Sequence, residues 1–294
     1  MKPAPFTYHR PTTVADAAEM LAASGGGGKV LAGGQSLIPL MSMRLAEPTA
    51  LVDINHVSGL AEIEVGADAV RVGALARHAA LESHESAYDA NPLLRRALRQ
   101  VAHGTIRNRG TTVGSIVHAD PAGEMPAVLR LLGGSVEAVS QSRGRRSIDA
   151  ADFFVGPLES ALAEDEIAVS VVFPRPAAGG GSSWLEIARR RGDYALVGVG
   201  ALVTLDADRR LTDAAVCLIS VGGTPVHADV GAAGRGSTYD EVDWADALEL
   251  VDAAIHPETD IHATADYRRH LARVLTGRAL AEATADAVAR TVAV

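Results

Sequence analysis

The sequence predicts an α+β fold, and three observations predict it. Short strand-like and helix-like segments alternate over the first 57 residues. From residue 60 the pattern changes to paired runs of alternating apolar residues. After a stretch rich in Pro, Gly and Ser come two long strand-like runs, then about 50 residues of helical periodicity. At 294 residues the chain is long enough for two domains and for a core without staples.

The elements follow in order. Phe6 to His9 reads as a strand stopped by Pro11. Thr12 or Thr13 then caps a helix over 14–23, with apolar Val14, Ala17, Ala18 and Leu21 on one face. Gly25 to Gly28 form a turn before a buried strand at Lys29 to Ala32. A helix to about Arg44 follows Ser36, and Ala50 to Asp53 is the next strand. Glu62 to Val65 and Ala69 to Val72 pair through a turn at Gly66–Ala67–Asp68. Helices are expected at 76–83, 92–102 and 126–132, and strands near 135–139 and 166–173. A polar, Gly-containing stretch from His103 to Gly123 interrupts the periodicity. The run PRPAAGGGSS, Pro174 to Ser183, is the clearest boundary. Beyond it lie strands at 195–205 and 211–221 and helices at 243–254, 263–276 and 277–290.

Composition limits the function. Hydrophobic residues make up 48% and charged residues 21%, which excludes disorder as a whole-chain description. A net charge of −9 disfavours nucleic acid as the main ligand, because phosphate backbones need a basic surface. No run approaches a membrane span, and no secretory signal opens the chain, so a cytoplasmic location is expected. A lone cysteine, Cys217, excludes an intrachain disulfide and any iron–sulfur cluster held by this chain's thiolates alone.

The common glycine motifs fail. Gly198–Val199–Gly200 lacks the third glycine of a dinucleotide fingerprint, and Gly28–Lys29 is followed by Val30 rather than Ser or Thr. Two other segments carry chemistry. Ala32–Gly33–Gly34–Gln35–Ser36 joins a strand to a helix with residues small enough for backbone to approach a ligand. It reads either as an ordinary tight turn, with Ser36 as helix cap, or as a phosphate cradle. Arg107 to Ser115 (RNRGTTVGS) crowds hydroxyls, small residues and two arginines into a loop before a helix. It reads either as a polar interdomain loop or as donors for a pyrophosphate. Asp120 and Glu124 are metal candidates, but without His or Cys company local capping or solvation explains them as well. Arg95, Arg96, Arg99, Arg107 and Arg109 crowd one stretch of an acidic chain; Arg95, Arg96 and Arg99 read either as a solvated helix face or as a partner-facing patch, while Arg107 and Arg109, in the second segment, can face phosphate instead.

Taken together, AGGQS at 32–36 and RNRGTTVGSIVHADPAGEMP at 107–126 resemble the FAD-binding medium subunits of the molybdenum hydroxylases, the carbon monoxide dehydrogenase and xanthine dehydrogenase type. LVDIN at 51–55, RGDYA at 191–195, GGTP at 222–225 and YRRHL at 267–271 match in order, so the resemblance covers essentially the whole chain. It implies a two-lobed FAD-binding domain over 1–175 (lobes about 1–57 and 58–175), of the vanillyl-alcohol-oxidase-like type. A C-terminal domain of a small antiparallel sheet and helices would follow over 184–294. It implies non-covalent FAD. Ala32, Gly33, Gly34, Gln35, Ser36, Thr111, Thr112, Val113, Gly114 and Ser115 would hold the pyrophosphate and ribityl region. Glu124 stands where the family usually has the Asp that bonds the ribityl chain. Tyr194 lies in a segment that approaches the flavin ring, or else it is a strand aromatic packed in the core.

No catalytic residue or metal ligand is implied on this chain. Molybdopterin belongs to a large partner subunit and [2Fe–2S] clusters to a small one, in a heterohexamer that passes electrons to an external acceptor. The rival readings are a free-standing flavoenzyme on the same fold and a scaffold subunit that has lost FAD. The second rests on Val113, which replaces a family glycine and would be strained at positive φ.

Overall fold

The computed structural model describes residues 2–292. Its first unit is a parallel sheet of Thr7–His9, Ala50–Asp53 and Gly28–Leu31, with Ala50–Asp53 central. Helix Val14–Ala23 is capped by Thr13, whose hydroxyl accepts from the Asp16 amide at 3.1 Å. It buries Ala17, Ala18 and Leu21 and packs on both this sheet and strand Ser135–Ser140 of the next.

The second sheet is antiparallel, in the order Ile63–Val65, Ala69–Gly73, Ile167–Pro174, Ser135–Ser140, Gly144–Asp149. Its edge strand Gly144–Asp149 and the helix Glu85–Ala90 were not legible as elements: the strand is exposed along most of its length and carries little apolar alternation. The third sheet is an antiparallel meander of Gly180–Ala188, Ala195–Leu205, Leu211–Ile219 and Val226–Asp229. Helices Pro92–Leu98, Thr112–His118 and Glu124–Leu131 fill the space between the second and third sheets. The long helix Ala265–Val292 covers the other face of the third sheet. Strand Ala195–Leu205 is therefore buried on both faces, which is why it reads as a continuous apolar run rather than an alternating one.

Three expectations change. The interval 103–123 is not a plain loop, since it contains helices Gly104–Arg107 and Thr112–His118. The Pro/Gly/Ser run is not all linker: Gly180 to Ser183 already pair with Ala201 to Thr204. A β-carbon on Gly181 would lie 2.2 Å from the Ala283 carbonyl oxygen, so small residues there let the long helix settle on the strand. The helices expected at 263–276 and 277–290 are one helix. Gly277 does not break it but faces helix Ala245–Ala254, with Leu248 Cδ2 nearest.

The arginine-rich stretch is largely spent inside the molecule. Arg95 pairs with Glu85 at 2.9 Å and lies over the Tyr88 ring. Arg107 pairs with Glu82 at 2.7 Å and donates to the carbonyls of Val101 and Ala102. Arg96 pairs with Asp286 at 2.7 Å and also bonds Ser182, tying helix Pro92–Leu98 to the third sheet and the long helix. Arg95 and Arg96 are therefore spent on internal contacts rather than on a partner, and Arg107 on internal contacts rather than on phosphate. Arg99 and Arg109 are exposed and have no side-chain partner among the described residues.

Candidate functional site

Strand Gly28–Leu31 ends at the rim of a cleft of about 520 Å³. Ala32, Gly33, Gly34 and Gln35 form one wall, and Asp53, Asn55 and Arg109 line the rest. Gly34 has φ +71°, a left-handed conformation that excludes β-branched residues. Gly33 meets the second segment directly. A β-carbon on it would lie 2.5 Å from the Arg109 carbonyl oxygen, 2.8 Å from Gly110 Cα and 3.0 Å from the Thr111 amide nitrogen. Gln35 donates to the Gly33 carbonyl at 3.2 Å. Ser36 occupies the cap position of helix Leu37–Met43 but makes no capping bond through its side chain, so the expected cap is absent.

A polar network fixes this junction. Arg77 donates to the Arg109 carbonyl at 2.6 Å and to Asn55 Oδ1 at 2.7 Å. Asn55 in turn donates to the Ala32 carbonyl at 2.9 Å and to Asp53 Oδ1 at 2.6 Å. Tyr8 donates to Asp53 Oδ2 at 2.5 Å. Burial pushes the Asp53 carboxyl up, but the bonds from Tyr8 and Asn55 prevail and hold it below the usual carboxylate range. Burial, then the Arg109 charge, depresses Arg77, with Asp53 opposing. Arg77 is thus committed to structure, while Arg109 lines the cleft and its side chain has no hydrogen-bond or ion-pair partner among the described residues. Backbone that closely approached and one unspent guanidinium suit a diphosphate.

Thr112 to Ser115 differ from expectation. They are the first turn of helix Thr112–His118, not a loop before it. Thr111 is the cap, its hydroxyl accepting from the Gly114 amide at 3.1 Å. The Thr112 side chain turns inward, 3.3 Å from His78 Nδ1. Burial, aided by the Arg107 charge, brings His78 down to about 4, so it is neutral at pH 7. Val113 is helical, 2% exposed and part of the core, so it is not strained. Thr111 and Gly114 remain at the cleft end of the helix.

A helix of seven residues is about 10 Å long. Its far end, at Ala119, leads to Asp120 and to Glu124, the first residue of helix Glu124–Leu131. Asp120 caps locally, accepting from the Ala122 amide at 2.8 Å. Tyr194 is brought here from the turn between strands Gly180–Ala188 and Ala195–Leu205. It is 72% exposed, which overturns the reading of a core aromatic. Shielding and the nearby Asp120 and Glu124 push its hydroxyl up. Burial, then Glu186, pushes Glu124 up, and burial does the same to Glu186, which accepts from the Trp184 indole N–H at 3.2 Å.

The site therefore has two ends, a phosphate-type cleft and a tyrosine–carboxyl cluster, joined by one short helix. An elongated ligand is required to touch both. Asp53 and Asn55 lay within a matched stretch, and their Asp-x-Asn spacing signals a local turn, but nothing marked them as site residues. Arg77 carried no signal, since it acts through contacts distant in sequence. Among the described residues no group of three or more His, Cys, Asp or Glu is placed to hold a metal. Cys217 is fully buried, its thiol pushed up to about 12 by burial.

A phosphate-type cleft with a second polar cluster one short helix away suits an elongated cofactor, and the comparisons point to one. Residues 4–176 match the FAD binding domain in molybdopterin dehydrogenase, and residues 182–283 the CO dehydrogenase flavoprotein C-terminal domain. The nicotine 6-hydroxylase medium subunit of Paenarthrobacter nicotinovorans is 39% identical, over 96% of this chain and 99% of its own. The carbon monoxide dehydrogenase medium chain of Afipia carboxidovorans is 33% identical, over 98% and 99%. In structure, a chain of carbon monoxide dehydrogenase from Hydrogenophaga pseudoflava superposes with TM-score 0.91 at 32% identity, covering 99% of both chains. A chain of quinoline 2-oxidoreductase from Pseudomonas putida 86 gives 0.89 at 34%, covering 98% and 99%. This chain belongs to the FAD-binding medium-subunit family of the molybdenum hydroxylases, and is an oxidoreductase flavoprotein subunit. Among the described residues no helix is long and apolar enough to cross a membrane.

Proposed function

We propose that this chain holds FAD non-covalently between the Gly33–Arg109 cleft and Tyr194, and serves as the electron-transfer subunit of a molybdopterin-dependent hydroxylase or dehydrogenase. Electrons come from the [2Fe–2S] clusters of a small partner subunit. A large partner carries the molybdopterin at which substrate reacts, and an external acceptor takes the electrons away. The division 1–175 and 184–294, a heterohexamer and a cytoplasmic location belong to this reading.

The observation that carries it is the cradle at Gly33 and Gly34. Gly33 lets the two loops close backbone against backbone and Gly34 is left-handed, so together they build a wall of bare backbone at the cleft. Gly33, Gly34, Gln35 and Arg109 would hold the diphosphate. Thr111 and Gly114 would lie along the cofactor between its ends, Glu124 would meet the ribityl chain, and Tyr194 would stand beside the ring. Ala32, Ser36 and Ser115 frame the same stretch, while Thr112 and Val113 support it from the core. Bound FAD supplies a ring that accepts electrons singly and passes them on. The chain's own work is to bind it, orient it and leave one side open to partners. The scaffold alternative loses its support, because Val113 sits in an ordinary helical turn.

The test is reconstitution. The chain co-expressed with molybdopterin and iron–sulfur partners should reduce dye in the presence of the complex's substrate, and the chain alone should not. Full turnover by the isolated chain would favour the free-standing flavoenzyme.

A further inference from the structure

GGTP at 222–225 and YRRHL at 267–271 take no part in the Gly33–Arg109 cleft, yet both lead to one residue, Ser220. Ser220 follows strand Leu211–Ile219 and stands just before the first motif. It bonds in three directions. Its amide donates to the Pro121 carbonyl at 3.0 Å. Its hydroxyl donates to the Ala195 carbonyl at 2.8 Å. Its carbonyl accepts from Arg268, of the second motif, at 3.4 Å. Pro121 follows Asp120 and Ala195 follows Tyr194, so one serine grips the neighbour of each. Arg268 is 6% exposed and reaches in from the long helix. It also donates to the Leu196 carbonyl at 2.6 Å and pairs with Asp260 at 2.7 Å.

The backbone here is unusual. Among the described residues six other than glycine have a left-handed φ, and three of them, Ala119, Leu158 and Ser220, meet at one turn. The Leu158 amide donates to the Ala119 carbonyl at 3.0 Å, one turn residue away from the carbonyl that Ser220 holds. A side chain other than glycine costs free energy in this conformation and persists where its surroundings over-determine it. At φ +63° a glycine would relieve Ser220, but it would lack the hydroxyl that reaches Ala195. Tyr194 itself is 72% exposed, and its hydroxyl has no hydrogen-bond partner among the described residues. Its place is therefore set through its backbone rather than by packing.

We propose that Ser220 is a positioning residue for Tyr194: its hydroxyl ties the backbone beside the tyrosine to the Asp120 turn, with Arg268 holding the serine from behind, and so sets the tyrosine at the ring end of the cofactor. The proposal rests on the FAD reading for its ligand, while the tether itself exists without it. The third sheet and the long helix thereby reach the cofactor site through two carbonyls rather than through a side chain.

The experiment uses the assembled complex, with FAD and after FAD removal. It compares wild type, Ser220→Ala, Ser220→Gly, Tyr194→Ala and the double variant Ser220→Ala with Tyr194→Ala. Amide hydrogen exchange around Tyr194 is followed in the FAD-free complex, and the FAD dissociation constant and flavin midpoint potential in the loaded one. Both Ser220 variants should speed exchange around Tyr194, weaken FAD by up to about tenfold, the size of one hydrogen bond, and shift the potential. Ser220→Gly should melt at least as high as Ser220→Ala, because glycine adopts the left-handed turn freely, and it stands in should the alanine variant fail to fold. In the Tyr194→Ala background, Ser220→Ala should move neither affinity nor potential further. Wild-type affinity and potential in both Ser220 variants, or full additivity of the two alanine substitutions, would overturn the proposal. Failure of the FAD reading looks different: wild type binds no FAD, yet exchange around Tyr194 still rises in the Ser220 variants.

Discussion

Gly33 rests against the carbonyl oxygen of Arg109, and that contact joins two segments 76 positions apart into one wall. The same carbonyl accepts from Arg77. The cleft is thus assembled from backbone, with little room for any side chain at the junction.

The first expectation concerns that contact. Gly33→Ala puts a β-carbon 2.5 Å from the Arg109 oxygen, so the loops must part. Overpacking of this kind costs roughly 1–3 kcal/mol. If the strain falls on the cofactor site, FAD affinity should drop about ten- to hundredfold with circular dichroism unchanged. The ratio of flavin to protein absorbance in the purified complex reads this out, and full occupancy would remove the loop from the site.

Arg77→Lys keeps the charge but cannot serve two acceptors in the same forked geometry. Either Asn55 or the Arg109 carbonyl loses its donor, and a shielded acceptor left alone costs about 1–3 kcal/mol. A lower midpoint in urea unfolding, together with weaker FAD retention, is expected. An unchanged midpoint would show that the network does not hold the cleft.

Val113→Gly restores the glycine that the family has at this position, and should do harm. It removes a buried side chain, costing about 1.5–3 kcal/mol, and adds about 0.3–0.5 kcal/mol of helix-propensity loss relative to valine. Denaturant unfolding should show the chain destabilised. A stabilised variant that binds FAD more tightly would mean Val113 is strained after all.

Arg96 and Asp286 should couple the two halves of the chain. In a double-mutant cycle with alanine at each, the interaction should be on the order of 1 kcal/mol, because both groups are only partly shielded. Burial raises the Asp286 carboxyl, but the bonds from Arg96 and the Ser182 amide prevail and lower it overall. A lowered folded value means this stability is present above the unfolded carboxylate range and is lost as pH falls through the folded value. Arg96→Ala should therefore lower the melting temperature at neutral pH and matter less in acid. No change at neutral pH would return Arg96 to the role of a partner-facing residue.

The sequence made much of this visible, for identifiable reasons. Helix Val14–Ala23 and strand Ala50–Asp53 have the expected bounds, because a Thr cap and an uninterrupted apolar run are local signals. The Gly33–Gly34 cradle was legible because only small residues fit there. Thr112 to Ser115 looked like a loop because hydroxyls and a glycine mask the helical turn that Thr111 caps. Gly277 suggested a break that the long helix ignores, since packing on the third sheet outweighs one glycine. Arg96 and Arg77 could not be placed, because their partners Asp286 and the Arg109 carbonyl are far away in the chain.

The central claim is that this chain is the flavin station of a larger molybdenum complex. The most direct measurement is to recover it from its native cell under mild conditions and assay the purified assembly for flavin, iron and molybdenum. The account predicts that all three travel with the chain, and that acid or heat releases the flavin whole as FAD. Flavin recovered with neither metal, or flavin that stays with the denatured polypeptide, would contradict it.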